Sequence, residues 1–445
     1  MGSPIEPATQ SQSSAIKAFL DWASSQDIAQ PWDTVSHGTI LFPDTAQQVA
    51  EILKKASDCR VCLAVNRKDA VCLEEPIWLN LSKLDQIVDY RKADFTLKLQ
   101  SGMTVYALRN LLREVDHSFP LTYPDETMLA DLVAEDRPAL EAGFYGYPRD
   151  YVLALEVATP DGLVTKCGAD VVKNVTGYDL NKLYTGSHHT LGVITGMTLK
   201  LAAVAERKQG FWAEYPAVDL LLEDVAKLLA EPGSPLCRCE IFQRERLTDS
   251  LFQATQTPWH LYVQLSGQES HVKAYEAQVS VLCGQAITLT RLPATQALIV
   301  CKQLSRYPES ALVVELALPV GVSACTAFFE EIQQELNDYP GVALQYQPAA
   351  GLATVVLPIH EPAEEGEERS DFSVQSLLEA ISEFAKSHHG FLQILQYPIG
   401  WEFLASRWNF PRDPVASGMI RRIKELYDPA NVLFSRRLPF EVEVS

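Results

Sequence analysis

Residues 172–195 read VKNVTGYDLNKLYTGSHHTLGVIT and are the most informative segment of the chain. Gly186 and Gly192 allow the main chain to approach a ligand closely, because glycine has no β-carbon. Val193 and Ile194 then begin an apolar run that is typical of a rigid buried strand. A flat heterocycle could bind to such a loop through main-chain donors and acceptors. On periodicity alone, a turn and a core strand with no ligand explain the same residues.

The residues before this stretch mix helical and strand patterns. An apolar strand is predicted over Val152–Ala158, followed by a tight turn at Asp161-Gly162 and a partner strand over Leu163–Cys167. Further upstream, Thr45 and Gln48 have the spacing of a capping box at the start of a helix. The mixture favours an α+β domain with stacked sheets over a repeating βαβ fold.

The second half of the chain alternates strands and helices in a way that predicts an antiparallel sheet backed by helices. The predicted strands are 237–243, 259–265, 311–318, 352–358 and 391–397, and the predicted helices are 217–230, 268–283, 323–336 and 373–387. An acidic stretch, 361–368, is predicted to be an exposed loop, and a last helix is predicted over 413–427. The predicted domains are a mobile tail over 1–14, a first domain over 15–204, a cap domain over 205–410, and a C-terminal segment over 411–445 that returns to the first domain.

Composition narrows the class of protein. The formal net charge of −20 over 445 residues argues against nucleic-acid binding, because there is no basic run to neutralise phosphates. The apolar runs are too short for a transmembrane segment, and residues 1–14 do not have the pattern of a secretory signal. The nine cysteines then predict reduced thiols in the cytosol rather than disulfides.

Two close cysteine pairs and two histidine pairs could suggest a metal site. Cys59 and Cys62 have the spacing of a cysteine pair that supplies two of the four ligands of a zinc site. No second pair lies nearby in sequence to complete the four ligands. Cys237 and Cys239 are interpreted as buried apolar thiols. Adjacent histidines such as His388-His389 do not point in one direction on a helix, so no metal is predicted.

The block from Phe144 to Leu199 resembles the adenine-side signature of the vanillyl-alcohol oxidase (p-cresol methylhydroxylase) flavoproteins. Within that group, the run Lys173–Leu180 is similar to the D and E subunits of glycolate oxidase, and the cap half resembles the E subunit more than the D subunit. The segment Tyr427–Leu433 resembles the terminal segment of the same family. The resemblance implies an FAD-binding domain of vanillyl-alcohol oxidase type plus a cap domain.

The resemblance also implies a cofactor and partners. The cofactor would be FAD bound non-covalently, and the partners would be a D-type glycolate oxidase flavoprotein subunit and an iron–sulfur subunit, in a cytoplasmic assembly that could dock on a membrane through those partners. The residues that the resemblance places at the cofactor are Asn66, Arg67, Lys68, Ala70, Thr127, Arg149, Asp150, Asn174, Gly177, Tyr178, Gly186, Ser187, Gly192, Val193 and Ile194. No catalytic acid–base pair is identified.

The sequence departs from the family pattern where glycine-rich loops cradle the FAD pyrophosphate. Residues 66–70 contain no glycine, Thr127–Ala130 stands in place of Thr-Leu-Gly-Gly, and Glu135–Pro138 replaces a glycine-containing segment. The family's terminal Asn-Pro-Gly reads Phe434-Ser435-Arg436 here. A non-glycine residue forced to positive φ costs about 1–2 kcal/mol.

Two hypotheses therefore stay open. One is an FAD-binding subunit of a glycolate oxidase or dehydrogenase complex, which relays electrons or supports the catalytic subunit in the oxidation of a 2-hydroxy acid. The other is a flavin-free structural subunit that scaffolds the catalytic flavoprotein.

Overall fold

The computed structural model describes residues 10–31, 38–65, 77–170, 179–246, 257–308, 310–336, 339, 341–359, 371–397 and 414–434. The helices in chain order are α1 Gln10–Ser25, α2 Ala46–Cys59, α3 Val105–Arg113, α4 Leu129–Glu135, α5 Ala142–Tyr145, α6 Asn181–Tyr184, α7 Val218–Ala230, α8 Glu269–Leu282, α9 Ala294–Leu304, α10 Val322–Ala327, α11 Gln333–Leu336, α12 Asp371–Ser387 and α13 Pro414–Tyr427. Within the described residues, 3₁₀ turns lie at Lys92–Asp94, Pro148–Asp150 and Arg244–Arg246, and a π turn lies at Phe328–Ile332.

The strands in chain order are β1 Ala29–Pro31, β2 Thr39–Leu41, β3 Ile77–Leu79, β4 Ile87–Arg91, β5 Thr96–Gln100, β6 His117–Ser118, β7 Val152–Ala158, β8 Val164–Gly168, β9 Val193–Lys200, β10 Ala202–Ala203, β11 Arg207–Tyr215, β12 Leu236–Gln243, β13 Trp259–Gly267, β14 Thr288–Leu292, β15 Ala311–Ala317, β16 Ala343–Gln347, β17 Leu352–Pro358 and β18 Phe391–Gln396.

The chain divides into two compact units. The first comprises Met1–Arg137, Tyr147–Ala203 and Ala405–Ser445, and the second comprises Pro138–Gly146 and Val204–Leu404. The sequence-based division places all of 15–204 in one domain, whereas the nine residues Pro138–Gly146 group with the second unit. The physical reason is a set of contacts described below, in which this segment packs against strand β12.

The first unit contains a five-stranded sheet in the order β4-β5-β9-β7-β8 and a three-stranded sheet in the order β1-β2-β3. Strand β9 pairs antiparallel with both β5 and β7, so it lies at the centre of the larger sheet. Seven of its eight residues are buried, so both faces of this strand are covered by the protein. The site described below is built on the start of this strand.

Helix α2 has the cap that the sequence predicts. Thr45 accepts a hydrogen bond from the main-chain N–H of Gln48 at 3.1 Å, and the Gln48 side chain accepts from the N–H of Asp44 at 2.6 Å. Arg60 ends the helix in the left-handed conformation. The apolar face of α2, which includes Ile52 and Leu53, is fully buried in the core of this unit.

The second unit is built on an eight-stranded sheet in the order β14-β11-β13-β12-β16-β17-β15-β18. Every pairing in it is antiparallel. Helices α7 and α8 pack against strands β11 and β13, and α12 packs against β18. The expected antiparallel sheet backed by helices is therefore present, with β11, β14 and β16 as strands that the sequence pattern does not predict.

Candidate cofactor site

Eight residues of the set that the resemblance implies are described by the structure, and all of them lie in the first unit. They are Thr127, Arg149, Asp150, Gly186, Ser187, Gly192, Val193 and Ile194. The remaining seven lie outside the described residues: Asn66, Arg67, Lys68, Ala70, Asn174, Gly177 and Tyr178. The contacts of the eight described residues define the geometry of the candidate site.

The loop that carries Gly186 is bonded to the C-terminal end of helix α4. The N–H of Gly186 donates to the carbonyl of Val133 at 3.1 Å, and the N–H of His188 donates to the carbonyl of Ala134 at 2.8 Å. Gly186 has a φ of 78°, a conformation that glycine adopts without strain. Two main-chain donors of this loop thus satisfy helix carbonyls that would otherwise lack partners.

The Ser187 side chain and main chain are also used within the loop. Its N–H donates to the carbonyl of Tyr184 at 3.1 Å, and its hydroxyl donates to the same carbonyl at 2.6 Å. The loop therefore closes on itself immediately after helix α6.

The start of strand β9 is enclosed by His189 and Ser101. The N–H of Ile194 donates to Nδ1 of His189 at 3.3 Å, and the carbonyl of Ile194 accepts from the hydroxyl of Ser101 at 2.6 Å. Complete burial lowers the pKa of His189 to about 4, so its imidazole is neutral at pH 7 and can accept this hydrogen bond. Both polar main-chain groups of Ile194 are thus satisfied by the chain itself.

Gly192 is required by packing within the sheet. A β-carbon at this position would lie 2.7 Å from Cγ1 of Val157 and 3.0 Å from the carbonyl oxygen of Ala158. Both residues belong to strand β7, with which Val193 and Ile194 pair. The close approach that this glycine permits is to a neighbouring strand.

The segment that begins at Thr127 forms the entrance to helix α4, where the sequence pattern indicates only a loop. The N–H of Thr127 donates to the carbonyl of Pro124 at 3.1 Å. The N–H of Leu129 donates to Met103 at 2.9 Å, and that of Ala130 donates to Ser101 at 2.7 Å. The first-turn amides of α4 therefore bind carbonyls of the chain.

Asp136 is hydrogen-bonded to Arg149 and lies beside Gly186. Its carboxylate accepts a hydrogen bond from the main-chain N–H of Arg149 at 2.9 Å, and the Arg149 guanidinium donates to it as well. A β-carbon on Gly186 would lie 3.6 Å from Cβ of Asp136. Burial raises the pKa of Asp136, and the hydrogen bonds and positive charge of Arg149 act in the opposite direction.

The 3₁₀ turn is closed by bonds between Asp150 and the main chain of Tyr147, and the Tyr147 ring contacts Arg149. The carboxylate of Asp150 accepts from the N–H of Tyr147 at 2.8 Å. The N–H of Asp150 donates to the carbonyl of Tyr147 at 3.0 Å. The Arg149 guanidinium lies over the Tyr147 ring, 5.7 Å from its centroid.

Taken together, the main-chain N–H groups of Thr127, Arg149, Asp150, Gly186, Ser187 and Ile194 each donate to an acceptor within the chain. A cofactor phosphate or adenine ring that used these N–H groups would have to replace their present hydrogen bonds. Each hydrogen bond lost costs about 0.5–1.5 kcal/mol of stability. In the described part of the chain, this arrangement does not fit an FAD pyrophosphate held by free main-chain donors.

A second buried polar cluster lies in the second unit. Glu141, in the segment Pro138–Gly146, accepts from Nε of Arg238 at 2.9 Å and from a second guanidinium nitrogen. Two residues further along β12, the carboxyl of Glu240 accepts from the amide of Gln345 at 3.0 Å. Complete burial raises the pKa of Glu240 well above its usual range. The Arg238 guanidinium and the Glu141 carboxylate thus form a buried ion pair within this unit.

Sequence reasoning did not select Asp136, His189, Ser101 or Glu141 for the roles that they have here. The signal for Asp136 is that it belongs to Glu135–Pro138, which replaces a glycine-containing segment of the family and adds negative charge there. His189 carries a weaker signal, since a histidine pair stands in a loop where small or polar residues are expected. Glu141 and Ser101 have no local signal, because their partners are 97 and 93 residues away.

Among the residues that the structure describes, no group of three or more His, Cys, Asp or Glu side chains is placed to hold a metal ion. Among the described helices, none combines the length and the apolar character needed to cross a bilayer.

Comparison with known proteins gives a family match for part of the chain. Residues 38–168 match the family model of the FAD binding domain. The chain is 27% identical over 257 residues to the probable mitochondrial D-lactate dehydrogenase of Danio rerio, covering 54% of this chain and 50% of that protein. It is 28% identical over 203 residues to glycolate oxidase subunit GlcD of Bacillus subtilis, covering 43% of this chain and 42% of that one. The chain thus spans about half the length of these curated relatives.

Comparison with solved structures concerns the fold as a whole. The crystal structure of p-cresol methylhydroxylase with substrate bound superposes with a TM-score of 0.72 at 14% identity, and the match covers 98% of both chains. Identity at this level speaks for the fold alone. The chain therefore has an α+β fold of the vanillyl-alcohol oxidase and p-cresol methylhydroxylase type, with a match to the FAD binding domain over residues 38–168.

Proposed function

We propose that this chain is a subunit of a flavin-dependent oxidoreductase that acts on a 2-hydroxy acid of the glycolate class, and that it supports a catalytic flavoprotein partner. The named relatives, a D-lactate dehydrogenase and a glycolate oxidase subunit, support the substrate class. Oxidation of such a substrate needs a flavin to take the hydride and a base to take the hydroxyl proton.

One observation favours a supporting role over an independent catalytic role. Six of the eight described main-chain donors of the predicted cofactor set are bonded to the chain itself, most clearly at Gly186, Ile194 and Arg149. A protein that keeps the fold but uses these donors internally retains its surfaces for assembly. On this proposal the reacting flavin belongs to a D-type partner, and an iron–sulfur subunit accepts the electrons.

The proposal places the assembly in the cytosol, with any membrane docking mediated by the partners. The eight described cysteines are free thiols, which agrees with a reducing compartment.

The test is recovery of the chain with its partners from the source organism. We expect a tagged full-length chain to co-purify with a second, flavin-containing chain, and the complex to reduce an electron-accepting dye in the presence of glycolate or D-lactate. The same chain purified alone is expected to release no flavin on denaturation and to show no dye reduction. Recovery of no other oxidoreductase chain would contradict the proposal.

A second candidate is that the chain holds an FAD of its own and relays electrons. The match of residues 38–168 to the FAD binding domain favours it. The measurement that separates the two candidates is the flavin content of the chain purified without partners. One FAD per chain would establish the second candidate.

A further inference from the structure

We infer that the Asp136 carboxylate is a built-in anion that occupies the donor set, Arg149 beside Gly186, which a cofactor phosphate would otherwise need. The inference rests on the proposed supporting role, because it explains why this chain would not carry the flavin that its fold implies. It concerns residues of one unit and depends on no partner.

The donor set is of the kind that binds phosphate. A main-chain N–H and a guanidinium converge on one carboxylate, and both belong to Arg149. Charge-assisted bonds from arginine are among the stronger hydrogen bonds in proteins, and both phosphate and carboxylate oxygens accept them. The Asp136 side chain, which is 3% exposed, covers the inner side of this guanidinium, whereas the Arg149 side chain is 55% exposed.

The position of Asp136 makes a carboxylate unfavourable on local grounds. Asp136 follows the last residue of helix α4, where the helix dipole disfavours negative charge. Its φ of 46° lies in the left-handed region, which costs a residue with a β-carbon free energy relative to glycine. Burial adds a desolvation cost. The bonds from Arg149 are what offset these three costs.

A capping role alone does not account for the carboxylate. The main-chain N–H of Asp136 closes the helix by donating to the carbonyl of Leu132 at 3.1 Å, and this bond needs no side chain. Glycine and asparagine are the residues preferred at such a C-terminal position. An acidic side chain at this position is therefore explained by its partner Arg149 rather than by the helix end.

The consequence for an incoming phosphate is repulsion. A diphosphate that approached Arg149 would meet a carboxylate already bound there, in a chain whose net charge of −20 repels anions further. The amides of Gly186 and His188 already donate to the carbonyls of Val133 and Ala134, so they offer no compensating donors.

The test compares the full-length wild type with Asp136→Asn and Asp136→Gly. Both substitutions suit the left-handed conformation, so the variants are expected to fold, and their unfolding temperatures check this. Inorganic pyrophosphate is titrated by calorimetry, and FAD is titrated by quenching of its fluorescence. We expect both variants to bind pyrophosphate at least about tenfold more tightly than the wild type, which is about 1.4 kcal/mol.

Two further variants make the test specific. Asp125→Asn removes one carboxylate from a comparable half-buried arginine pair, Arg109–Asp125 at 2.7 Å, and should leave pyrophosphate affinity unchanged. Adding Arg149→Gln to Asp136→Asn should abolish the gain. The inference is overturned if Asp136→Asn shows no gain, if the gain survives loss of Arg149, or if the wild type binds FAD as tightly as Asp136→Asn. The pull-down result for the proposed function is independent of each of these outcomes.

Discussion

His189 shows how a single residue can join a loop to a core strand. The residue is 4% exposed, its main chain is in the left-handed conformation with a φ of 62°, and its ring accepts from the N–H of Ile194. His188 has nearly the same backbone conformation, with a φ of 52°, but is only half-buried. The pair therefore offers a comparison in which burial is the main difference.

The stability of the protein is expected to fall as the pH decreases from about 6.5 to 4, in part because of His189. Its pKa is about 4 in the folded chain and 6.5 in its ordinary state, so between these values the unfolded chain takes up a proton that the folded chain does not. The loss can reach about 3 kcal/mol for a shift of this size. The measurement is the free energy of urea unfolding at a series of pH values.

Asparagine tolerates the left-handed conformation, so His189→Asn and His188→Asn are matched variants. The pH dependence should be flatter in His189→Asn by the amount that this residue contributes, and His188→Asn measures the effect of the same replacement at the half-buried neighbour. Identical pH profiles for the wild type and His189→Asn would show that the ring is not held neutral.

For single residues, the sequence predicts contacts between positions that are close along the chain. The Thr45–Gln48 cap is present because its two partners are three residues apart and nothing else competes for them. The role of Asp136 could not be predicted in the same way, because its partner Arg149 is 13 residues away and reaches it only after helix α4 and the following turns have formed. The sequence shows that Glu135–Pro138 replaces a glycine-containing segment of the family, but it does not show that Asp136 pairs with Arg149.

At the scale of elements, the segment Pro138–Gly146 departs most from expectation. It lies in sequence between parts of the first unit, yet its helix α5 packs against strand β12 of the second unit, to which it belongs. Glu141 anchors it through the buried pair with Arg238. Gly143 allows the close approach, because a β-carbon there would lie 2.4 Å from the carbonyl carbon of Ala349.

Gly143→Ala is therefore expected to destabilise the protein by about 1–3 kcal/mol, the usual cost of forcing a methyl group into a filled space. The matched control is Gly418→Ala in helix α13, where a β-carbon meets nothing within 4 Å, and which should be neutral or stabilising by up to about 1 kcal/mol. The measurement is the urea unfolding midpoint of each variant. A stabilising effect of Gly143→Ala would mean that the segment does not pack as described.

Elements with a clear pattern could be predicted, and those without one could not. Strand β13 and the β7–β8 hairpin follow from apolar runs and an Asp-Gly turn, and their bounds agree with prediction to within about two residues. Strand β14 was not predicted, because its residues are mostly exposed at the edge of the sheet. Helix α4 was not predicted, because its seven residues lie among turn-forming residues and its first residues stand where the family pattern has glycines.

At the scale of the whole chain, the C-terminal segment closes the first unit. Leu433 forms a parallel bridge with Leu63, and the N–H of Leu63 donates to the carbonyl of Val432 at 2.9 Å. These contacts join residues about 370 positions apart in sequence. The resemblance of residues 427–433 to the family's terminal segment indicates the return, but the bonds that hold it depend on long-range packing that no local pattern contains.

Lys424 donates three hydrogen bonds that hold the C-terminal segment in place. Its ammonium group donates to the carbonyls of Thr190 and Leu433, both at 2.9 Å, and to the carboxylate of Asp428. Asp428 in turn accepts from the N–H of Leu433 at 2.8 Å. The side chains of Lys424 and Asp428 are 6% and 0% exposed, so neither charge has water as an alternative partner.

Replacing Lys424 with methionine should therefore destabilise the protein by about 3–5 kcal/mol, because it leaves a buried carboxylate without its counter-charge and two carbonyls without a donor. Lys54→Met is the control, since Lys54 and Asp58 form an exposed pair one helical turn apart that contributes about 0.5 kcal/mol or less. Urea unfolding of the two variants and the wild type measures both effects. Equal effects of the two substitutions would show that the C-terminal segment is not held by this buried pair, and that the first unit is complete without it.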